Sequence, residues 1–495
     1  MNVTSLFDNH LNVVLPELFM LLAISTILLV GVHYSTSEEH GYPVLVNNVC
    51  WLSIFSAFWG AMLVLNSQWE GLAFNSSLNI DGFTQSVKVV LLLAVCFCLL
   101  VSLDYIKKEQ IHTFEYSLLI LFSVVGSMIL VSSNDLITMY LAIEMSSLCL
   151  YVLAAFKRKS PFSTEAGLKY FILGAFASGL LLFGSSLVYG FTGTTNFEEM
   201  ARLFAGITSN EIPTGVIVGA FFIGSALLFK AAAAPFHVWT PDVYEGAPTS
   251  VSAFFAVVPK IAVLGLFLKL FMFSFFDLID SWQQVIVISS ILSMAVAAFT
   301  ALTQRKIKRF LAYSSIGHVG YLLIGLAAGT VEGVQGLFIY TLIYIITSLN
   351  AWTFVLSTSY ANRPGRALYF TDLTQLSKMN PLLAVSFTAV LFSMAGIPPL
   401  AGFCAKMYVF VSAIESSLYL LAFLGVMTSV IGAFYYLRFI KIMYFETQKG
   451  WSFFAPVSRE QSVVLGATTL FIVIFFADPS FILTLSHKMA LLICL

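Results

Sequence analysis

The sequence predicts an all-α polytopic membrane protein of about fourteen transmembrane helices, and three observations predict it. Of the 495 residues, 59% are hydrophobic and only 10% are charged, against roughly 25% charge in a soluble domain. Apolar runs of about twenty residues recur along the whole length, the extent a helix needs to cross a ~30 Å hydrocarbon core. The short alternating runs of a barrel are absent, and a net charge of -1 offers no basic surface for nucleic acid.

The apolar runs place spans at about 13–32, 44–66, 86–104, 115–132, 134–156, 165–190, 212–234, 249–272, 281–301, 310–328, 333–358, 381–415, 418–441 and 463–483. Charge in the connections tests that count independently. Lys107 and Lys108 follow span 3, Lys157, Arg158 and Lys159 follow span 5, and Arg305, Lys306, Lys308 and Arg309 fall between spans 9 and 10. Arg363 and Arg366 follow span 11, and Lys441 and Lys449 follow span 13. The alternate connections are acidic, with Glu70, Asp81, Glu198, Glu199, Asp277, Asp280, Glu332 and Glu415. The positive-inside rule then puts both termini on the outer side and the basic connections in the cytoplasm or matrix. The amino terminus has neither the basic region of a signal peptide nor the Arg-rich pattern of a transit peptide, so either the first helix directs insertion or the chain is made next to its membrane.

Two spans are interrupted. The seventh contains Pro235 and Pro241, and the twelfth contains Gly396-Ile-Pro-Pro-Leu-Ala-Gly402. Proline removes a backbone donor and disturbs a helix, and matching breaks in two halves point to a transporter built from repeats. Spans 4–8 and 9–13 hold five helices each, and an odd number sends the second copy through the membrane in the opposite sense. The expected organisation is therefore helices 1–3 over residues 1–114, a first repeat over 115–272, an inverted second repeat over 273–445, and a last helix with its tail over 446–495.

Charges inside spans are rare and expensive. Glu17, Lys88, Glu115, Asp135, Lys169 and Lys269 lie near span ends, where long side chains can snorkel to the interface. Glu144, Lys230, Lys260 and Lys406 do not. Each would cost at least ~2.5–3.5 kcal/mol at the bilayer centre. Three lysines and one carboxylate cannot all be paired. A buried lysine can lose its proton and regain it when a carboxylate approaches, so such groups can relay protons, with Glu144 and Lys230 as the expected pair. His237, just past the first break, and His318, in the tenth span, are candidate members of the relay.

The six cysteines lack paired metal spacing and read as small core residues. No iron–sulfur cluster pattern, haem histidine pair, phosphate loop or dinucleotide fingerprint occurs. No redox cofactor is expected in this chain.

The stretch Lys230-Ala-Ala-Ala-Ala-Pro-Phe-His-Val-Trp-Thr-Pro-Asp-Val-Tyr-Glu-Gly-Ala-Pro248 resembles the broken seventh helix of the antiporter-like membrane subunits of respiratory complex I, the proton-pumping NADH–ubiquinone oxidoreductase. Gly396 to Lys406 resembles their broken twelfth helix, and the segments Ser163–Phe176 and Leu311–Tyr321 extend the likeness over nearly the whole chain. The resemblance implies that Glu144, Lys230, Lys260 and Lys406 form the proton path. It also implies that Lys406, where subunits at the tip of the membrane arm carry a glutamate, marks an inner member. FMN, iron–sulfur clusters and ubiquinone would belong to partner subunits, neighbouring antiporter-like subunits would pack alongside, and the location would be the mitochondrial inner membrane. Two rival readings are a free-standing multisubunit cation/proton antiporter and a non-pumping scaffold whose buried charges only fix assembly.

Overall fold

The computed structural model describes residues 10–36, 42–67, 69–111, 113–205, 213–361, 365–447 and 454–494. Arg363 and Lys449, named above among the basic connections, and the amino-terminal residues 1–9 lie outside them.

The described spans are helical because hydrocarbon offers the backbone no partner, so each peptide group there must bond within its own segment. Helices α1 (Leu15–Tyr34) and α2 (Val44–Asn66) lead to a short antiparallel hairpin of β1 (Gly71–Ala73) and β2 (Leu78–Ile80) and then to α3 (Gly82–Lys108). There follow α4 (Glu115–Ser132), α5 (Leu136–Ala154), α6 (Pro161–Thr192), the short α7 (Phe197–Phe204), α8 (Thr214–Ala231), α9 (Trp239–Gly246) and α10 (Thr249–Lys269), which runs on into a π turn, Leu270–Ser274. The remainder is α11 (Ile279–Thr303), α12 (Ile307–Ala328), α13 (Val331–Ser357), the single turn α14 (Leu376–Met379), α15 (Pro381–Ala395), α16 (Ala401–Glu415), α17 (Tyr419–Phe445), α18 (Arg459–Ile474) and α19 (Ser480–Cys494).

Local chemistry sets the ends. Asp135, Thr330 and Asn380 accept first-turn N–H groups of α5, α13 and α15, satisfying donors that a helix start leaves free. Pro161 and Pro381 occupy the first turns of α6 and α15, where the missing N–H is harmless.

Twelve of the described helices are long and apolar enough to cross a membrane. The twelfth expected span is present as the half-helices α15 and α16. The last expected span, 463–483, is not one helix: α18 stops at Ile474 and α19 begins at Ser480. Pro479 disfavours helix at Asp478, and the Asp478 carboxylate accepts the Ser480 N–H at 3.2 Å to start a new helix.

Three helices form the core. The apolar windows of α10 with its π turn, α12 and α13 are 94%, 94% and 89% buried, against 33% for α1 and α17. The basic connections meet at one end of the bundle: Glu109 pairs with Lys157 and, at 3.7 Å, with Arg366, while Lys108 donates to the Ser359 hydroxyl at 3.1 Å. At the other end Asn134 donates to Glu198 at 3.2 Å, and Asn196 donates to the Ser76 carbonyl at 3.2 Å. Odd and even connections are thus segregated, as their charges predict.

Candidate functional site

The first break lies between α8 and α9. Ala232 takes a left-handed φ of 66°, and the Phe229 carbonyl accepts the Ala232 N–H at 3.1 Å and the Trp239 indole N–H at 3.0 Å. Trp239 stacks on Tyr170 with ring centres 4.6 Å apart. Charge then pins α9: Asp242 pairs with Lys169 at 2.9 Å and with Arg309 at 2.8 Å, and Glu245 pairs with Lys306 and, at 3.4 Å, with Arg309. The half-helix therefore ties α6 to the start of α12.

Lys230, in the last turn of α8, donates to the Tyr151 hydroxyl at 3.3 Å, its ammonium 5.6 Å from the centre of that ring. The expected pair with Glu144 is not formed. Glu144 makes no ion pair, and its Oε1 is buried with no hydrogen-bond partner among the described residues. Glu144 and Tyr151 sit seven residues apart on one face of α5, two turns in height, and the lysine meets the tyrosine's level.

Lys260 is 2% exposed. It follows Pro259, which lies inside α10 and withdraws one donor from that helix. Its ammonium donates to the Tyr344 hydroxyl at 3.2 Å and lies 5.4 Å from that ring's centre. Tyr344 donates in turn to the Ala256 carbonyl at 2.9 Å. The ring of Tyr344 is 5.6 Å from the imidazole of His318. Nδ1 of His318 is 2.8 Å from the Tyr340 hydroxyl and Nε2 is 3.4 Å from that of Tyr436. A neutral imidazole donates from one nitrogen and accepts at the other, so His318 bridges two hydroxyls in either tautomer.

At the second break Gly396 ends α15 with a φ of 87°. The Lys406 ammonium donates to the Met394 and Ala395 carbonyls at 3.0 and 2.9 Å and stands 5.1 Å from the centre of the Tyr321 ring. The Gly402 N–H donates to the Ser393 hydroxyl at 3.0 Å. A cavity of about 10 Å3 lies among His318, Tyr344 and Lys406, about the space of one water.

The fold thus gathers Lys260, His318 and Lys406 in the core, with Lys230 and Glu144 on the flank of α5 and α8. His237 joins none of them: it is half-buried, and its Nδ1 has no hydrogen-bond partner among the described residues. Sequence reasoning missed the tyrosines, one for each lysine. The signal was there for some of them, since Tyr340 and Tyr344 are four residues apart on one face of α13 and Tyr321 lies one turn past His318.

It also missed a second set of buried charges. Glu17 and Lys88, expected to snorkel, form an ion pair in which each is 2% exposed or less, and Lys269 is 6% exposed. Helices from elsewhere in the chain cover these span ends, which no single span reveals. Glu115 and Asp135 are exposed or partly exposed at helix starts, as expected, and Lys169 is partly exposed in the third turn of α6.

Among the described residues no group of three or more His, Cys, Asp or Glu side chains could hold a metal ion. The family described as NADH:quinone oxidoreductase/Mrp antiporter, TM, matches residues 133–432. NADH-ubiquinone oxidoreductase chain 2 of Marchantia polymorpha is 48% identical over 99% of this chain and 100% of its own length. NADH-quinone oxidoreductase subunit N of Paramagnetospirillum magneticum is 45% identical over 95% of each. Among solved structures, a chain of respiratory complex I from Thermus thermophilus with bound aureothin superposes with a TM-score of 0.79 at 28% identity, covering 95% of this chain and 98% of that one. With the lysines, the broken helices and these likenesses together, the chain belongs to the NADH:quinone oxidoreductase/Mrp antiporter membrane family, in the branch of chain 2 and subunit N.

Proposed function

We propose that Glu144, Lys230, Lys260, His318 and Lys406 relay protons through this membrane subunit of NADH:ubiquinone oxidoreductase. The contact that carries the reading is the line from the Lys260 ammonium through the Tyr344 hydroxyl towards His318 and Lys406. Neither Lys260 nor Lys406 has a carboxylate within ion-pair distance among the described residues, so each can exchange its proton without breaking a salt bridge. Glu144 acts as the input: its approach to Lys230 favours the ammonium, and its withdrawal favours release. Lys260 receives the proton, the hydroxyls of Tyr344 and Tyr340 with the His318 imidazole carry it across the core, and Lys406 exchanges it beyond the second break. His237, without a contact to any of these residues, stands outside the relay.

Residues 115–272 and 273–445 are read as the two inverted repeats, a division supported by a lysine and an interrupted helix in each. The basic end of the bundle is assigned to the matrix, with both termini on the outer side of the mitochondrial inner membrane. FMN, iron–sulfur clusters and ubiquinone are assigned to partner subunits. Ile137, Leu141, Leu148 and Val152 form an exposed apolar stripe on α5 beside Glu144, which suits packing against a neighbouring membrane-arm subunit, and Lys406 in place of a glutamate supports an inner position.

The test is Lys260→Met in the assembled enzyme. Electron transfer from NADH to an artificial acceptor should persist while the number of protons moved per electron falls. An unchanged ratio at normal assembly would remove Lys260 from the path. A free-standing antiporter would instead give sodium-dependent proton movement in complexes without NADH oxidation. A scaffold would lose assembly with Glu144→Gln or Lys406→Ala and keep full pumping in whatever complex remained.

A further inference from the structure

Lys269 has no part in the relay above, yet it is 6% exposed at the carboxyl end of α10. Among the described residues its ammonium has only backbone hydrogen-bond partners, the Asn79 carbonyl at 3.4 Å and the Ser132 carbonyl at 3.5 Å. It lines a cavity of about 460 Å3 together with Asn79, Asp81, Asp277 and Thr330. That volume holds many waters, and although Phe83, Met272 and Phe276 share the lining, its polar side chains can hydrogen-bond them. Phe276 and Asp277 at its rim are exposed, so it opens at the end of the bundle that carries the acidic connections. Asp81, which starts α3 and lies outside the spans, faces the same space. Burial holds its carboxyl above the usual range, the Lys269 charge opposes that, Glu70 and Glu198 reinforce it, and Lys88 opposes it weakly.

Towards the core the surroundings change abruptly. Lys260 lies nine residues back along α10, roughly 13 Å at a helical rise of 1.5 Å per residue. Along the helix stretch that separates the two lysines, a cavity of only about 30 Å3 that neither lysine lines is walled by Ile261, Leu264, Leu268 and Phe338. Water therefore has ample room beside Lys269, and the stretch of α10 that leads back to Lys260 is walled by apolar side chains.

The structure assigns Lys269, with Asp81, as a further proton-exchanging station, at which protons pass between this subunit and the water of the outer compartment. The inference rests on the proton-relay reading given above. In the exchange an N–H bond of the Lys269 ammonium breaks, its electron pair stays on nitrogen, and the proton passes to a cavity water or to the ionised Asp81. The reverse step reloads the amine. The apolar segment around Leu264 and Phe338 keeps this station from continuous water contact with Lys260, so that loading from outside and transfer from the core occur as separate events.

Arginine separates this role from a structural one, because it keeps the charge and cannot give up its proton. In the assembled enzyme, Lys269→Met and Lys269→Arg should both lower the protons moved per electron, with electron transfer from NADH to an artificial acceptor retained. A full ratio in Lys269→Arg would overturn the proposal and leave the side chain a packing charge. Lys260→Met, measured in parallel, separates the two readings: a lowered ratio there with none in the Lys269 variants defeats only the Lys269 station, and no change in either defeats the relay itself. Should Lys269→Met fail to accumulate, Asp81→Asn carries the same ratio measurement. Accessibility gives a second readout. With Cys494, which lines the same cavity, replaced by serine, Lys269→Cys should react with a membrane-impermeant thiol reagent added to the outer face and not with the same reagent added to the matrix face. No reaction from the outer face would overturn the proposal.

Discussion

The two broken helices satisfy the same demand by different means. Each leaves carbonyl groups without helical donors deep in the protein, where an unmet acceptor is costly. At the first break the Trp239 indole takes the Phe229 carbonyl, and Lys230 is left with one long hydrogen bond to Tyr151. At the second break the lysine is itself the donor, held by two carbonyls of α15. One lysine is loosely held beside an unbonded carboxylate, and the other is locked to a helix end whose dipole favours its positive charge. A switch needs the first arrangement and a terminal station tolerates the second.

That contrast can be broken in graded ways. Lys406→Met should have the largest effect on assembly, since it strands two buried carbonyls at ~1–3 kcal/mol each; the amount of intact complex on a native gel should drop. Lys230→Met, which strands none, should assemble normally. Next comes Trp239→Phe, which takes from the Phe229 carbonyl one of its two donors and leaves the Ala232 N–H at 3.1 Å, at a cost of ~0.5–1.5 kcal/mol, and should lower the thermal midpoint of the purified complex. Gly396→Ala forces a side chain into a left-handed residue at about 1–2 kcal/mol, and its Cβ would stand 3.0 Å from Cδ of Lys406. It should loosen the tight lysine, visible as a smaller proton-to-electron ratio than wild type. Tyr151→Phe removes only a long hydrogen bond, ~0.5–1.5 kcal/mol, and should slow proton movement with little change in assembly.

Much of this architecture was legible in the sequence because a bilayer imposes coarse, one-dimensional rules. Span length, the alternation of basic and acidic connections, and the prolines at Pro235 and Pro398 follow from hydrocarbon thickness and backbone chemistry. The lysines were legible because a charge in mid-span has no cheap explanation. What was not legible depends on height and cover. Glu144 and Lys230 share a region, and only the relative height of α5 and α8 decides that Tyr151 rather than Glu144 meets the ammonium. Glu17, Lys88 and Lys269 look like snorkelling side chains until neighbouring helices close over them. The division of the last span at Asp478 and Pro479 carried a proline signal outweighed by the apolar residues on either side.

The loosely held lysine is the central claim, and one number tests it most directly: the protons moved per electron by the assembled enzyme carrying Lys230→Met. The account predicts normal assembly and NADH oxidation with fewer protons moved for each electron. A wild-type ratio at wild-type assembly would contradict it.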